Sequence, residues 1–123
     1  MEKTILIVDD EPNIVMTLEY GFKKRGYQVF IARDGGEALE LLQTEVPSAV
    51  LLDIMMPNVD GYQTLAAIRN DLKLKDIKVV FLTAKSKKEA IEKGLQMGAD
   101  KYLTKPFSVK KIIEEIEQLV QNP

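Results

Sequence analysis

Five short apolar runs punctuate the chain: Ile5-Leu6-Ile7-Val8, Val29-Phe30-Ile31-Ala32, Ala49-Val50-Leu51-Leu52, Val79-Val80-Phe81-Leu82 and a weaker Tyr102-Leu103. Those nearest the middle of the chain are apolar throughout rather than alternating, the pattern of strands covered on both faces. Between the runs the spacing becomes helical. Ile14, Val15, Leu18 and Phe22 make one stripe, and Gly26 is placed to end it. Ala38, Leu39, Leu41 and Leu42 make a second; Leu65, Ala66, Ile68 and Leu72 a third. Ala90, Ile91 and Leu95, closing near Gly98, make the fourth, and Ile112, Ile113, Ile116, Leu119 and Val120 the last.

Helix-start signals agree with this division. Asp34 with Glu37, Asp60 with Gln63, and Ser86 with Glu89 each have capping-box spacing. The order is strand–helix repeated five times, without internal repeats, linkers or low-complexity tracts. It predicts an α/β fold with a doubly wound parallel sheet and helices on both faces, joined by right-handed crossovers. The expected unit is a single domain over residues 1–123.

Composition narrows the chemistry. The 123 residues include no cysteine and no histidine. Disulfides, thiolate metal sites, His-ligated zinc and Ser-His or Cys-His catalytic pairs are therefore excluded. Carboxylates, lysines, hydroxyls and tyrosines remain. Met1-Glu2-Lys3-Thr4 leads straight into the first apolar run, which reads as neither a signal peptide nor a membrane anchor. The expected location is the cytoplasm. The net charge of -2 hides an asymmetry, because Lys85, Lys87, Lys88, Lys93, Lys101, Lys105, Lys110 and Lys111 crowd the segment from 85 to 111. That segment reads first as a solvated lysine-rich face.

In open parallel sheets, ligands bind beyond the carboxyl ends of the strands, where the strand order reverses. The first run ends in Asp9-Asp10-Glu11, the third in Asp53, the fourth in Thr83-Ala84 and the fifth in Thr104-Lys105-Pro106. If the first and third strands are neighbours, three carboxylates meet in one crevice. Like charges that close require a proton or a cation. An oxygen-only cluster suits a hard cation such as Mg²⁺, with phosphate oxygens completing its shell. Lys105 adds a second positive charge, and the two together suit a phosphoryl group carried beside a carboxylate.

These motifs, with Met-Pro-x-x-Asp-Gly at 56–61, Thr-Ala at 83–84 and Lys-Pro-Phe at 105–107, resemble the receiver family of two-component phosphorelay signalling. The resemblance spans essentially the whole chain, in order. It implies a flavodoxin-like three-layer sandwich with strand order 2-1-3-4-5. It implies Asp53 as phosphoacceptor, Asp10 as principal metal ligand, and Asp9 holding metal through water or shaping the site. The main-chain carbonyl of Met55 would be a further ligand. Thr83 would donate its hydroxyl to one phosphoryl oxygen and Lys105 would pair with another. Lys105-Pro106 would be a cis peptide, and Tyr102 the switch aromatic that turns inward when Thr83 moves toward the phosphate.

The implied cofactor is Mg²⁺, with Mn²⁺ as an alternative. The implied donor is a sensor histidine kinase or a histidine phosphotransfer protein. Output would pass through the fourth helix, fifth strand and fifth helix to a partner or to a further domain, and nucleic acid would be met only through such a domain. The resting chain is expected to be a monomer that acts on no outside substrate, catalysing only its own phosphorylation and slow autodephosphorylation.

Blander readings compete at each position. Asp10 suits a helix N-cap before Pro12, Thr83 an ordinary strand end, Lys105 a snorkelling surface lysine and Tyr102 plain packing. Asp53 is different, because an apolar stretch on both sides makes it a costly place for an idle charge. Two rival functions share the fold class. An aspartate-nucleophile phosphohydrolase wants a second acid two residues on, where this chain has Met55. A flavodoxin-like carrier wants a hydroxyl- or glycine-rich phosphate loop after the first strand, where this chain has three acids.

Overall fold

The computed structural model describes residues 3–56 and 59–121. The apolar runs form five parallel strands, β1 (Lys3–Val8), β2 (Tyr27–Ala32), β3 (Ala49–Leu52), β4 (Lys78–Thr83) and β5 (Lys101–Thr104), in one sheet of order β2-β1-β3-β4-β5. The helices between them are α1 (Pro12–Lys24), α2 (Gly35–Leu41), α3 (Gly61–Arg69), α4 (Lys88–Gln96) and α5 (Val109–Gln121). The expected flavodoxin-like arrangement is therefore present, with β1 and β3 side by side.

Successive strand residues point to opposite faces, so the sheet feeds two cores. Leu6, Val8, Val50, Leu52, Val79 and Phe81 pack on the side of α2 and α3. Ile5, Ile7, Ala49, Leu51, Val80 and Leu82 pack on the side of α1 and α5. Residues of the central strands bury side chains on both faces, which is why their sequence does not alternate.

Register brings the chemistry to one end. Val8 pairs with Leu52, Leu52 with Phe81, and Thr83 with Thr104. The ladder continues one residue further: the Asp53 amide donates to the Val8 carbonyl (3.0 Å), Asp9 to Ala32 (3.1 Å) and Lys105 to Thr83 (2.9 Å). Asp9, Asp53 and Lys105 are thus held by main-chain bonds where the strands stop. The Lys105-Pro106 peptide is cis, as the resemblance implied.

Helix starts follow their capping residues in two of three cases. Asp60 accepts from the Gln63 amide while Gln63 accepts from the Asp60 amide, both at 2.9 Å. Asp34 accepts from the Glu37 amide, but Glu37 returns to Arg33 rather than to Asp34. The Ser86–Glu89 box does not form, because α4 begins at Lys88 with Lys87 at its N-cap and no side-chain cap bond. Two apolar stripes also run past their burial. Leu72 lies beyond the end of α3 and is exposed, and α4 buries only Gly94. A Cβ on Gly94 would stand 3.0 Å from the Phe81 ring and 3.1 Å from Tyr102, so α4 rests on these rings through a residue with no side chain.

Gly61 serves the site directly. A Cβ there would lie 2.5 Å from the Asp53 carbonyl oxygen and 2.6 Å from the Ile54 Cα, and the Gly61 amide donates to the Ile54 carbonyl at 3.0 Å. The start of α3 can press against the end of β3 only because that side chain is missing. At the opposite pole, Arg69 donates to the carbonyls of Gly98, Lys75 and Ile77 and to Asp100, which also accepts from the Val79 amide.

Candidate functional site

Asp9, Asp10 and Asp53 each offer a carboxylate oxygen to one hollow, and these oxygens lie within 4.8 Å of one another. Asp9 and Asp53 are buried; Asp10 is exposed at the mouth. The N-cap of α1 is Glu11, without a side-chain cap bond, so Asp10 is not used as a cap. Asp9 Oδ1 instead accepts the Glu11 amide at 3.0 Å, which orients Asp9 across the hollow.

Lys105 closes the other side. Its Nζ lies 3.0 Å from Asp9 Oδ2, 3.2 Å from Glu11 Oε1 and 3.3 Å from Asp53 Oδ2. Asp53 Oδ1 accepts the Met55 amide at 3.2 Å, so both oxygens of Asp53 are held in place. Met55 itself is exposed at the rim, its side chain turned away from the core, while Met56 is buried.

Electrostatics follow from burial against pairing. Burial pushes the Asp9 carboxyl above the usual range, and the Glu11 amide and Lys105 oppose this only in part. Burial also works against charge on Lys105. The hydrogen bond to Asp9 and the charges of Asp53 and Asp9 outweigh it and hold Lys105 above the usual lysine value. Two buried carboxylates share one ammonium, so the hollow is short of positive charge. An all-oxygen donor set with a charge deficit fits a hard divalent cation rather than a soft one.

Thr83 is fully buried beside this hollow, its Oγ1 accepting the Lys85 amide at a long 3.4 Å. The Lys85 carbonyl accepts the Tyr102 hydroxyl at 2.8 Å. Tyr102 is half-buried, edge-on to Phe81 with ring centroids 5.7 Å apart. Burial, with Tyr62 and Asp53 nearby, pushes its hydroxyl up to about 12. Thr83 and Tyr102 are therefore linked through a third residue, Lys85.

The model of the response regulator receiver domain matches residues 5–117. The chain belongs to the response-regulator receiver family. Among solved structures, the receiver domain of a Francisella response regulator is 32% identical with a TM-score of 0.90, covering 98% of each chain. The signal receiver domain of a signal transduction histidine kinase from Syntrophus aciditrophicus is 30% identical with a TM-score of 0.89, over 97% of this chain and 90% of that one. A chemotaxis response regulator of Vibrio cholerae is 27% identical with a TM-score of 0.90, over 97% and 99%. Its strand order and its five helices place this receiver within the same architecture. Among the described residues, no helix is long and apolar enough to cross a membrane.

Of the residues that the sequence singled out in this receiver, Asp9, Asp10, Asp53 and Lys105 meet in the hollow and the Met55 amide binds Asp53, whereas Thr83 and Tyr102 are tied to Lys85; Pro57 of the Met-Pro motif falls outside the described residues. Two participants had no clear signal. Glu11 reads as one more acid after the first strand, yet it shares the Lys105 ammonium. Tyr62 looks like part of the α3 core, yet its ring stands edge-on to Phe81 with Lys85 and Lys93 over it.

Proposed function

We propose that this receiver accepts a phosphoryl group on Asp53 from a phosphohistidine of a sensor kinase or phosphotransfer protein. The observation that carries the reading is Asp53 buried at the end of β3, with one oxygen on an amide and the other on Lys105, inside a three-carboxylate hollow. Asp10, Asp9 and Asp53, with the Met55 carbonyl, are the groups that would hold Mg²⁺ or Mn²⁺. When bound, the ion supplies positive charge that offsets the oxygens of the transferring group.

The chain's own groups do the positioning. One Asp53 oxygen attacks phosphorus, the P–N bond of the donor breaks, and its electron pair stays on the imidazole. Lys105 is placed to transfer its pairing from Asp53 Oδ2 to a phosphoryl oxygen, and the Thr83 hydroxyl to donate to another. Water later attacks phosphorus, breaking the P–O bond and returning the Asp53 carboxylate and inorganic phosphate. No outside substrate is turned over.

The signal leaves through Thr83. If its hydroxyl turns to the phosphoryl group, the Lys85 amide loses its acceptor and the Tyr102–Lys85 bond is released to rearrange. That shifts a two-state equilibrium of α4, β5 and α5 toward the form an output partner prefers. The test is incubation with acetyl phosphate and Mg²⁺ followed by intact-mass measurement. Wild type should gain one phosphoryl mass and Asp53→Asn none; equal labelling of both would overturn the assignment.

A further inference from the structure

A cavity of about 520 Å³ opens on the α3–α4 side, next to the β4–α4 connection, and none of the three carboxylates of the hollow lines it. Its wall is apolar: the Tyr62 ring, Ala84 and Ala90. Tyr62 is fixed there by its edge-on contact with Phe81 and by its hydroxyl, which donates to the Ala90 carbonyl at 3.4 Å. Its rim is cationic. Lys93 Nζ stands 4.1 Å and Lys85 Nζ 5.6 Å from the Tyr62 ring centroid, and Lys87 completes the rim against the single acid Glu89. Apart from Lys85, whose main chain meets Thr83 and Tyr102, the phosphoacceptor reading uses none of these side chains.

We propose that this cavity receives an acidic peptide segment of a partner protein, with one apolar or aromatic side chain against Tyr62 and its carboxylates on Lys85, Lys87 and Lys93. The volume is in the range of pockets that enclose a side-chain-sized group. Lysines clustered round an apolar hole recognise charge and shape together, whereas a nucleic acid strand asks for a continuous basic track. Glu89 interrupts any such track. Carboxylates would also draw the two ammoniums off the Tyr62 face, exchanging a cation–π contact for ion pairs at an exposed rim.

The binding is a property of the unphosphorylated chain, so its test needs neither phosphodonor nor metal, and its failure leaves the phosphoacceptor reading untouched. The probe is a short peptide with a central phenylalanine flanked by aspartates and glutamates, titrated into the ¹⁵N-labelled protein at low salt. Amide shifts should concentrate at Tyr62, Lys85, Lys87, Ala90 and Lys93. The exposed pair Lys87→Glu and Lys93→Glu should weaken binding at least about tenfold with an unchanged fold, and replacing the phenylalanine with serine should weaken it several-fold. Shifts spread evenly over Lys101, Lys110 and Lys111, equal binding of the serine peptide, or equal binding of a single-stranded oligonucleotide would each overturn the proposal.

Discussion

Replacing Lys105 with methionine keeps most of the side-chain volume and removes the charge. The ammonium sits 3.0 Å from Asp9 and 3.3 Å from Asp53, in a site where the three side chains are 13%, 4% and 5% exposed. At an effective dielectric of about 20, each contact is worth about 5 kcal/mol of gross attraction. Most of that offsets desolvation of the lysine itself, and stripping one partner from a buried ion pair costs about 3–5 kcal/mol net. The open mouth at Asp10 argues for the lower end, a loss of about 3 kcal/mol near neutral pH without divalent ions.

Protonation limits the loss. Asp9 already lies above its usual pKa because of burial, and removing Lys105 deletes two of the effects that hold it down. A carboxyl raised in the folded state keeps its proton more tightly folded than unfolded, so its stabilisation is lost as pH rises through the raised value. The deficit of Lys105→Met against wild type should therefore grow from mildly acidic to neutral pH. Mg²⁺ should shrink it, since the ion no longer competes with the ammonium for the same oxygens, and ligand at a hundred times its dissociation constant adds about 2.7 kcal/mol. Urea unfolding at several pH values, with and without Mg²⁺, measures all of this. A deficit that ignores both pH and Mg²⁺ would mean that Lys105 acts by packing, and the charge argument would fail.

Other expectations follow from single contacts. Gly61→Ala should cost about 3 kcal/mol in urea unfolding and slow labelling of Asp53, because the new Cβ strikes main chain at Asp53 and Ile54. Gly26→Ala should cost about 1 kcal/mol through its φ of 87° alone, with labelling intact, since nothing lies within 4 Å of that Cβ. Arg69→Ala should lower stability by about 3 kcal/mol and leave labelling of folded protein unchanged, because its carbonyl partners lie at the far pole. Tyr27 is buried, has no hydrogen-bond partner for its hydroxyl among the described residues, and is pushed by burial up to about 12. The folded state holds that proton more tightly than the unfolded, so stability should fall as pH rises from about 10 to 12. Tyr27→Phe should flatten that fall in alkaline unfolding curves while keeping or raising stability at neutral pH.

The central strands β1, β3 and β4 were legible because burial on both faces leaves unbroken apolar runs, and the carboxylate cluster because it sits where the runs of β1 and β3 stop. Neighbouring of β1 and β3 was needed to join Asp9, Asp10 and Asp53, and spacing alone does not supply a strand order. The family resemblance did. Helical periodicity shows which face of a helix is apolar but not how far a neighbour covers it. Thus α4 carries Ala90, Ile91 and Leu95 at the right spacing yet buries only Gly94, and Leu72 repeats the α3 stripe after Asn70 has already ended the helix. Ser86 has capping-box spacing to Glu89, but the chain delays the helix by using Lys87 as its cap. Lys85 is legible in sequence as a residue beside the pocket, but its link between Thr83 and Tyr102 is not, because its main-chain amide and carbonyl make that link and no side-chain pattern records them.

Phosphoryl transfer to this receiver would leave a covalent bond at one residue, Asp53. Borohydride reduction of the protein after reaction with acetyl phosphate and Mg²⁺ should convert an aspartyl phosphate at position 53 to homoserine, read by peptide mapping. Homoserine at Asp53 alone, absent when Mg²⁺ is chelated, is the predicted result. Homoserine at Asp9 or Asp10, or an unmodified Asp53 in protein that carries phosphate, would contradict it.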